Sequence, residues 1–180
     1  MCQIILLFLS DLKLENILLD SNGNCKICDF GGCLDVPKLP ENLKHLGKVL
    51  AIFNTLEYTA PEFLNSIREF DHSADFWSLG IIIYKLLTNE FPFPNRNCIL
   101  NNDIPNIKKL ELDPDGIEFL KGLLNKIPEE RLGSKSNINN IKESPFFNDI
   151  DWTKLENKEI DPPYKPNKVN LISISFSIII

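Results

Sequence analysis

The chain has 180 residues, of which 43% are hydrophobic and 24% charged, and these values are ordinary for one soluble globular domain. Its formal net charge of −6 argues against a protein that binds the phosphate backbone of nucleic acids through a basic face. The five cysteines, an odd number, indicate free thiols in a reducing compartment, so we expect a cytoplasmic protein. The apolar runs at residues 1–9 and 169–180 are too short to span a bilayer, and we expect no membrane anchor there.

The first predicted element is a β-hairpin. Residues 17–20 and 25–28 are short strand-like runs, and the Asn-Gly pair between them favours a tight turn. Cys25 and Cys28 have the spacing of zinc ligands, but side chains three positions apart in a strand face opposite sides of the sheet. We therefore favour free thiols over a zinc site.

A long loop and two helices follow the hairpin. The loop runs from residue 31 to residue 60. Ser73 is predicted to cap a helix that ends near Thr88, and apolar residues on nearly every face of this helix place it inside the domain. Residues 115–125 have an amphipathic helical pattern. Beyond Ser144 the chain is rich in aromatic and prolyl residues, which predicts an extended tail over the surface of the domain.

Four polar residues flank the predicted hairpin. Asp11, Lys13 and Asn16 precede it and Asp29 follows it, so folding of the hairpin would bring them together. An aspartate can accept the proton of an attacking hydroxyl, a nearby lysine can contact a transferring phosphate, and amide and carboxylate oxygens suit Mg²⁺. Each residue alone is typical of a turn cap, but the ordered set predicts phosphoryl transfer.

These motifs together resemble those of the eukaryotic protein kinases. The further segments that carry the resemblance are Ala60-Pro61-Glu62, Asp75-Phe76-Trp77-Ser78-Leu79-Gly80 and Arg131. Residues 145–152 and 162–166 resemble the carboxy-terminal tail of the AGC group, and Lys13 resembles the serine/threonine rather than the tyrosine kinases.

The resemblance implies an α+β, protein-kinase-like fold, of which this chain is the mainly helical C-lobe with a small catalytic-loop hairpin. It implies a truncated kinase C-lobe at residues 1–147, an AGC-type tail at 148–168 and an apolar terminal segment of unassigned status at 169–180. No Gly-rich phosphate loop precedes Asp11, so we expect the N-lobe to be missing and the C-lobe to expose apolar surface.

The resemblance also assigns roles to single residues. Asp11 would be the catalytic base, Lys13 the phosphate contact, and Asn16 and Asp29 the Mg²⁺ ligands, while Thr55 would join the catalytic loop to the substrate platform. The residues expected at the ATP site are Lys13, Glu15, Asn16, Leu18, Cys28 and Asp29.

Other residues are expected to support the site rather than to react. Leu18 would floor the adenine pocket with Cys28 beside it, although core packing is the simpler interpretation of these two alone. Glu62 and Arg131 would form a buried ion pair, and Asp75 would accept hydrogen bonds from the backbone of the catalytic loop.

The sequence departs from the kinase pattern in the switch region. Leu9-Ser10 stands where the family has His-Arg, and Ala51 stands at the usual phosphothreonine position. No Ser, Thr or Tyr lies between Asp29 and Thr55, so we predict that this loop is not a phosphorylation switch.

The expected arginine subsite departs as well. AGC kinases that prefer basic substrates use two carboxylates to bind an arginine two residues before the acceptor. Glu15 matches one of them, but Lys85 stands at the position of the other, which predicts a weakened preference for arginine.

Two functions remain open from the sequence. The first is a serine/threonine protein kinase that uses ATP and Mg²⁺ on a protein substrate, present here as a fragment that is inactive without its N-lobe. The second is a pseudokinase or scaffold lobe that acts through protein–protein binding.

Overall fold

The computed structural model describes residues 7–35, 56–64, 72–134 and 139–166, and most of its regular structure is helical. The helices in chain order are α1 (Pro61–Leu64), α2 (Ser73–Thr88), α3 (Arg96–Asn101), α4 (Pro114–Leu123), α5 (Asn139–Lys142) and α6 (Trp152–Glu156). Short 3-10 turns occur at Leu14–Asn16, Leu56–Tyr58, Ile107–Lys109, Pro128–Glu130 and Pro145–Phe147.

Four short strands form two antiparallel pairs near the amino-terminal side of the described chain. They are β1 (Leu7–Phe8), β2 (Ile17–Leu19), β3 (Cys25–Ile27) and β4 (Leu34–Asp35). β2 pairs with β3 so that Ile17 lies opposite Ile27, which confirms the predicted hairpin and the α+β class. β1 pairs with β4, whereas the chain after Gly32 was expected to continue as an irregular loop.

Helix α2 forms the centre of the domain, as its apolar sequence predicts. Trp77 and Ile81 are completely buried, and the Trp77 ring stacks on Phe93 with their centroids 5.6 Å apart. The helix ends at Asn89, which adopts a left-handed conformation with φ of 58° and donates its backbone N–H to the Lys85 carbonyl at 2.7 Å. Such a residue ends a helix because its backbone no longer follows the helical path.

The predicted capping role of Ser73 is wrong. The helix begins at Ser73 itself, and the residue at the cap position is His72, whose side chain makes no capping hydrogen bond. The Ser73 side chain is buried, and its carbonyl accepts a hydrogen bond from Arg131 at 3.0 Å. The start of α2 is therefore joined to Arg131 through a backbone carbonyl, and Ser73 is its first residue rather than its cap.

Helix α4 packs directly on α2 at a point where α2 lacks a side chain. A Cβ atom added to Gly80 would lie 2.8 Å from Cγ and Cδ2 of Leu124, the residue that follows α4. The start of α4 is capped by Asp113, whose Oδ1 accepts the Gly116 backbone N–H at 2.7 Å. The apolar face of α4 also joins Phe119 and Leu123 to Ile141 in a second cluster of buried residues.

The tail is more regular than the predicted extended segment. The Trp152 indole donates to the Lys142 carbonyl at 3.1 Å, and its ring lies 5.2 Å from that of Phe147. Lys142 also pairs with Glu156 at 2.5 Å, so both ends of α6 are tied to α5. Residues 157–166 then follow without a further helix or strand.

The end of the described tail lies against the turn of the β2–β3 hairpin. Gly23 in that turn has a φ of +88°, and a Cβ atom added there would collide with the Tyr164 carbonyl and lie 2.9 Å from Cβ of Pro162. The absence of a side chain at Gly23 is therefore required both by its backbone conformation and by the close approach of the tail.

Candidate active site

The loop of residues 9–16 between β1 and β2 is the one that the resemblance identifies as the catalytic loop, and it keeps that name. It gathers three of the predicted site residues around one carboxylate. Lys13 Nζ lies 2.6 Å from Asp11 Oδ2. The Asn16 side-chain amide donates to the Asp11 carbonyl at 2.9 Å and to Asp11 Oδ2 at 3.3 Å. The hydrogen bond to Asp11 raises the pKa of Lys13, so this ammonium group stays charged over a wide pH range.

Asp29 follows β3 and is brought next to the same loop by the hairpin. The Cys28 backbone N–H donates to the Asn16 carbonyl at 2.9 Å, which places Asp29 one residue from this contact. Asp29 has a φ of 62° and its Oδ1 accepts the Gly31 N–H at 3.3 Å. Its negative charge also contributes to the raised pKa of Lys13, a smaller effect than that of Asp11.

The oxygen atoms at this site suit Mg²⁺. The amide nitrogen of Asn16 is bound to Asp11, so its amide oxygen is left for another partner, and so is one carboxylate oxygen of Asp29 among the described residues. Within those residues there is no group of three or more His, Cys, Asp or Glu that could hold a metal. One amide and one carboxylate fit an ion that completes its shell with water and phosphate oxygens.

A buried carboxylate supports the catalytic loop from below. Asp75, in the first turn of α2, accepts the Leu9 backbone N–H at 2.7 Å and also accepts the backbone N–H of Ser10. Burial raises the pKa of Asp75 to about 7 although these two hydrogen bonds act in the opposite direction. The expected contact between Asp75 and the loop backbone is confirmed.

One contact near the site was missed by the sequence reasoning. The Ser10 hydroxyl donates to the Gly32 carbonyl at 2.8 Å and so joins the catalytic loop to the segment after Asp29. Ser10 had been noted only as a departure from a pattern. The Gly31-Gly32 pair was the available signal, because glycine in a turn often marks a close approach of two backbones.

The hairpin exposes apolar side chains beside the site. Leu18 is 47% exposed, Phe30 is 58% exposed, and Ile27 is exposed as well, whereas Cys28 is half-buried. Leu18 is therefore not a core residue in this structure, and the expected exposed apolar surface is present. Thr55, the remaining predicted site residue, lies outside the described residues, as does Ala51.

Glu15 and Lys85 flank one aromatic side chain. The Tyr58 hydroxyl donates to Glu15 Oε2 at 3.4 Å, while Lys85 Nζ lies 6.0 Å from the Tyr58 ring centroid and 3.9 Å from that of Phe91. Burial, with the Glu15 charge as a further cause, raises the pKa of Tyr58 to about 12. The positive Lys85 on α2 and the negative Glu15 on the catalytic loop therefore both lie near Tyr58.

The predicted ion pair between Glu62 and Arg131 is confirmed and completely buried. Both guanidinium NH groups lie 2.8 Å from a carboxylate oxygen of Glu62, a bidentate arrangement. The remaining donors of Arg131 reach the carbonyls of Ser73 at 3.0 Å and Asn125 at 2.9 Å. The pair therefore joins α1, the start of α2 and the segment after α4.

Comparisons with known proteins agree with this geometry. Residues 6–147 match the family described as "Protein kinase domain". The chain is 40% identical over 170 residues to the serine/threonine-protein kinase SCH9 of Candida albicans, which covers 92% of the chain. It is 36% identical over 166 residues, 89% of the chain, to protein kinase C of Drosophila melanogaster. It is 40% identical over 161 residues, 87% of the chain, to the serine/threonine-protein kinase Sgk1 of Gallus gallus.

The match covers a small part of each relative. The chain spans 21% of the length of the Candida and Drosophila proteins and 36% of the chicken protein. No helix in the described part of the chain has the length and apolar character needed to cross a membrane.

Proposed function

The chain belongs to the protein kinase domain family, in its AGC group of serine/threonine kinases, and from this we propose that its protein transfers phosphoryl groups from ATP to serine or threonine residues of other proteins. The observation that supports the proposal is the convergence of Lys13 and Asn16 on the Asp11 carboxylate, with Asp29 one residue from a backbone contact to the same loop.

Each of these residues has a distinct task in the proposed reaction. Asp11 orients the hydroxyl of the acceptor and accepts its proton, while Lys13 stays charged and attracts the transferring phosphate. Asn16 and Asp29 offer oxygen ligands to Mg²⁺, which when bound neutralises charge on the phosphates of ATP. Their separate positions on either side of the hairpin make the reaction dependent on the β2–β3 pairing.

The nucleotide and substrate contacts complete the proposal. Leu18 is exposed and would contact the adenine ring together with the half-buried Cys28. Glu15 would contact the substrate, and Thr55, which lies outside the described residues, would join the loop to the substrate platform. An N-lobe that covers the nucleotide is required in addition, so we expect the 180 residues alone not to turn over ATP.

The replacement of the usual His-Arg pair by Leu9-Ser10 favours a second candidate function. In this alternative the lobe is a pseudokinase that binds proteins without catalysis, and the exposed Leu18, Ile27 and Phe30 are part of its binding surface. The presence of Asp11, Lys13, Asn16 and Asp29 together argues against it, because a scaffold has no chemical need for all of them.

The direct test is phosphate transfer from labelled ATP to a peptide by the full protein that contains this chain. Asp11→Asn is expected to lower kcat by roughly 10²–10⁴-fold, the usual contribution of general acid–base catalysis. Asp29→Asn is expected to raise the Mg²⁺ concentration required for activity. The matched control is Asp149→Asn, an identical change at an exposed position of the tail.

The outcome separates the two candidate functions. Undiminished activity in Asp11→Asn would contradict the proposed catalytic role. A wild-type protein that neither phosphorylates a peptide nor gains thermal stability from ATP with Mg²⁺ would support the scaffold, since a ligand at 100 times its Kd stabilises by about 2.7 kcal/mol.

A further inference from the structure

Ser10 is a buried hydroxyl residue between the catalytic loop and the segment after Asp29. Its side chain is mostly inaccessible, the whole residue being 8% exposed, and its Oγ donates to the Gly32 carbonyl at 2.8 Å. The turn that contains Gly32 is closed by a hydrogen bond from the Cys33 N–H to the Phe30 carbonyl at 3.1 Å. Ser10 therefore binds the turn 30–33 rather than an arbitrary point of the loop.

The backbone of Ser10 adopts a conformation that requires support. Its φ of 66° lies in the left-handed region, which residues other than glycine and asparagine seldom adopt. The support comes from α2, because the carboxylate of Asp75 accepts the backbone N–H groups of both Leu9 and Ser10. The hydroxyl of Ser10 thus extends a rigid connection from α2 through the catalytic loop to the turn.

The missing side chain at Gly32 leaves the space that the Ser10 hydroxyl occupies. A Cβ atom added to Gly32 would collide with Ser10 Oγ, whereas its next nearest neighbours would be the Leu9 carbonyl oxygen and Ser10 Cβ, both at an ordinary 3.8 Å. Among these three atoms only the hydroxyl oxygen is closer than an ordinary contact distance, so it is the atom that a Cβ at position 32 would displace. Ser10 and Gly32 can therefore be substituted singly and together, and the three variants can be compared.

We infer that Ser10 is a positioning residue, which acts by holding the Asp29 carboxylate at a set distance from the Asp11 carboxylate. Ser10 directly precedes Asp11, and Gly32 comes three residues after Asp29, so their hydrogen bond fixes the two segments near both carboxylates. The bond joins two neutral groups and needs no charged partner. The inference rests on the proposed kinase function.

The experiment compares Ser10→Ala, Gly32→Ala and the double variant in the full protein. Ser10→Ala removes the hydrogen bond and is expected to lower kcat and the affinity for Mn²⁺ in the presence of ATP by about tenfold each, without a change in the KM of the peptide. Mn²⁺ is measured by the paramagnetic signal of the free ion, a readout that is independent of turnover.

The double variant separates positioning from packing. Gly32→Ala alone is expected to lower the Tm because its methyl group meets the Ser10 hydroxyl, and the added Ser10→Ala change is expected to restore the Tm to that of Ser10→Ala. The Mn²⁺ affinity is expected to stay low in the double variant. If it returned to the wild-type value, or if Ser10→Ala bound Mn²⁺ normally, the inference would be overturned.

A third measurement distinguishes failure of this inference from failure of the proposed function. The Cys33 amide should exchange its hydrogen faster in Ser10→Ala than in the wild type, because the turn loses its attachment to the loop. In a wild-type protein that shows no kinase activity the proposed function fails, and the exchange rate still tests whether Ser10 holds the turn 30–33 in place. An unchanged exchange rate would contradict the inference.

Discussion

Asp75 shows how one buried side chain can serve the site and weaken the fold at the same time. Its carboxylate receives the Leu9 and Ser10 N–H groups, while burial raises its pKa to about 7. The ionised form is the better hydrogen-bond acceptor, but it is the form that burial penalises. The ionised Asp75 that holds the catalytic loop therefore lowers the free energy of unfolding by an amount that depends on pH.

The pH dependence of unfolding tests this account. Between about pH 4 and pH 7 the native Asp75 carboxyl binds more protons than the same group in the unfolded chain, so its contribution to the free energy of unfolding falls as the pH rises through this window and is constant above it. Asp75→Asn removes the titration. The wild-type minus variant difference, measured by urea unfolding, should therefore decrease from pH 4 to pH 7.

The thiol of Cys33 does not contribute to the change between pH 4 and pH 7, because its pKa lies above this range. Burial, followed by the Asp75 charge, raises the pKa of the Cys33 thiol above its ordinary value of 9.0. Asp149→Asn, at an exposed position, is the matched control and should leave the curve parallel to that of the wild type. If the free energy of unfolding of Asp75→Asn also ran parallel to that of the wild type from pH 4 to pH 7, the assignment of this titration to Asp75 would be contradicted.

The Glu62–Arg131 pair makes a second prediction at the scale of single residues. Arg131→Met leaves the Glu62 carboxylate buried without its partner, which is expected to lower the free energy of unfolding by about 3–5 kcal/mol. The double variant Glu62→Leu with Arg131→Met should be more stable than Arg131→Met alone, because no charge is then stranded. Chemical denaturation measures both, and a double variant no more stable than the single one would contradict this explanation.

Lys85 makes a prediction about substrate choice. Its ammonium group and the Glu15 carboxylate flank the Tyr58 ring, so an arginine at the expected subsite would meet one attractive and one repulsive charge. Lys85→Glu is expected to raise the preference for arginine over alanine at that substrate position by about tenfold or more, since a like-charge contact near the surface costs about 1–4 kcal/mol. The measurement is the ratio of kcat/KM for two peptides in the full protein.

The control for this change has the same charge reversal elsewhere. Lys108→Glu, in the 3-10 turn Ile107–Lys109, should leave the peptide ratio unchanged. An equal shift in both variants would indicate a general electrostatic effect of the net charge. No shift in Lys85→Glu would place the arginine subsite elsewhere.

At the scale of elements, the packing of α2 on α4 depends on one missing side chain. Gly80→Ala raises helix propensity, yet the new Cβ would lie 2.8 Å from Leu124. Because overpacking costs about 1–3 kcal/mol and the propensity gain is at most about 1 kcal/mol, the variant is expected to be less stable than the wild type. In the background of Leu124→Ala the same change should be less destabilising, as measured by thermal unfolding, because Cγ and Cδ2 of Leu124 are gone while Cβ of Leu123 remains at 3.1 Å. A destabilisation of equal size in both backgrounds would contradict the contact.

The elements that could be predicted are those specified by local sequence. The β2–β3 hairpin has its own turn residues, and α2 has a long apolar run, so both lie where the sequence places them. The β1–β4 pair consists of two-residue strands, too short for a periodic pattern, and depends on the contact between distant segments. Helix α6 has a local signal that the prediction of an extended tail overlooked, because Oδ1 of Asp151 caps it by accepting the Lys154 backbone N–H at 3.1 Å. The attachment of α6 to α5 depends in addition on the packing of Trp152 against Phe147 and Lys142.

The sequence selects candidate site residues, but it does not show the contacts among them. The order and spacing of Asp11, Lys13, Asn16 and Asp29 are enough to select them from the sequence. The hydrogen bond between Ser10 and Gly32 is not readable in this way, because a serine hydroxyl has many possible acceptors and only the folded backbone chooses one.

At the scale of the whole molecule, the tail connects the helices with the hairpin. It is fixed at one end by Trp152 and by the Lys142–Glu156 pair. At the other end residues 162–164 lie on the turn at Gly23. The hairpin that separates Asn16 from Asp29 is therefore supported at its tip by a segment more than a hundred residues later in the chain.

Substitution of Gly23 tests whether the tail is held by this contact. Gly23→Ala combines a positive φ with a collision against the Tyr164 carbonyl, so the tail is expected to leave the turn while the helical core stays folded. Chymotrypsin should then cleave after Tyr164 several-fold faster than in the wild type, whereas cleavage at the buried Trp77 should stay slow. Ser21→Ala, at an exposed position of the same turn, is the control, and equal cleavage in the two variants would show that the tail is not held at Gly23, because Ser21→Ala leaves the close approach of Gly23 to Tyr164 unchanged.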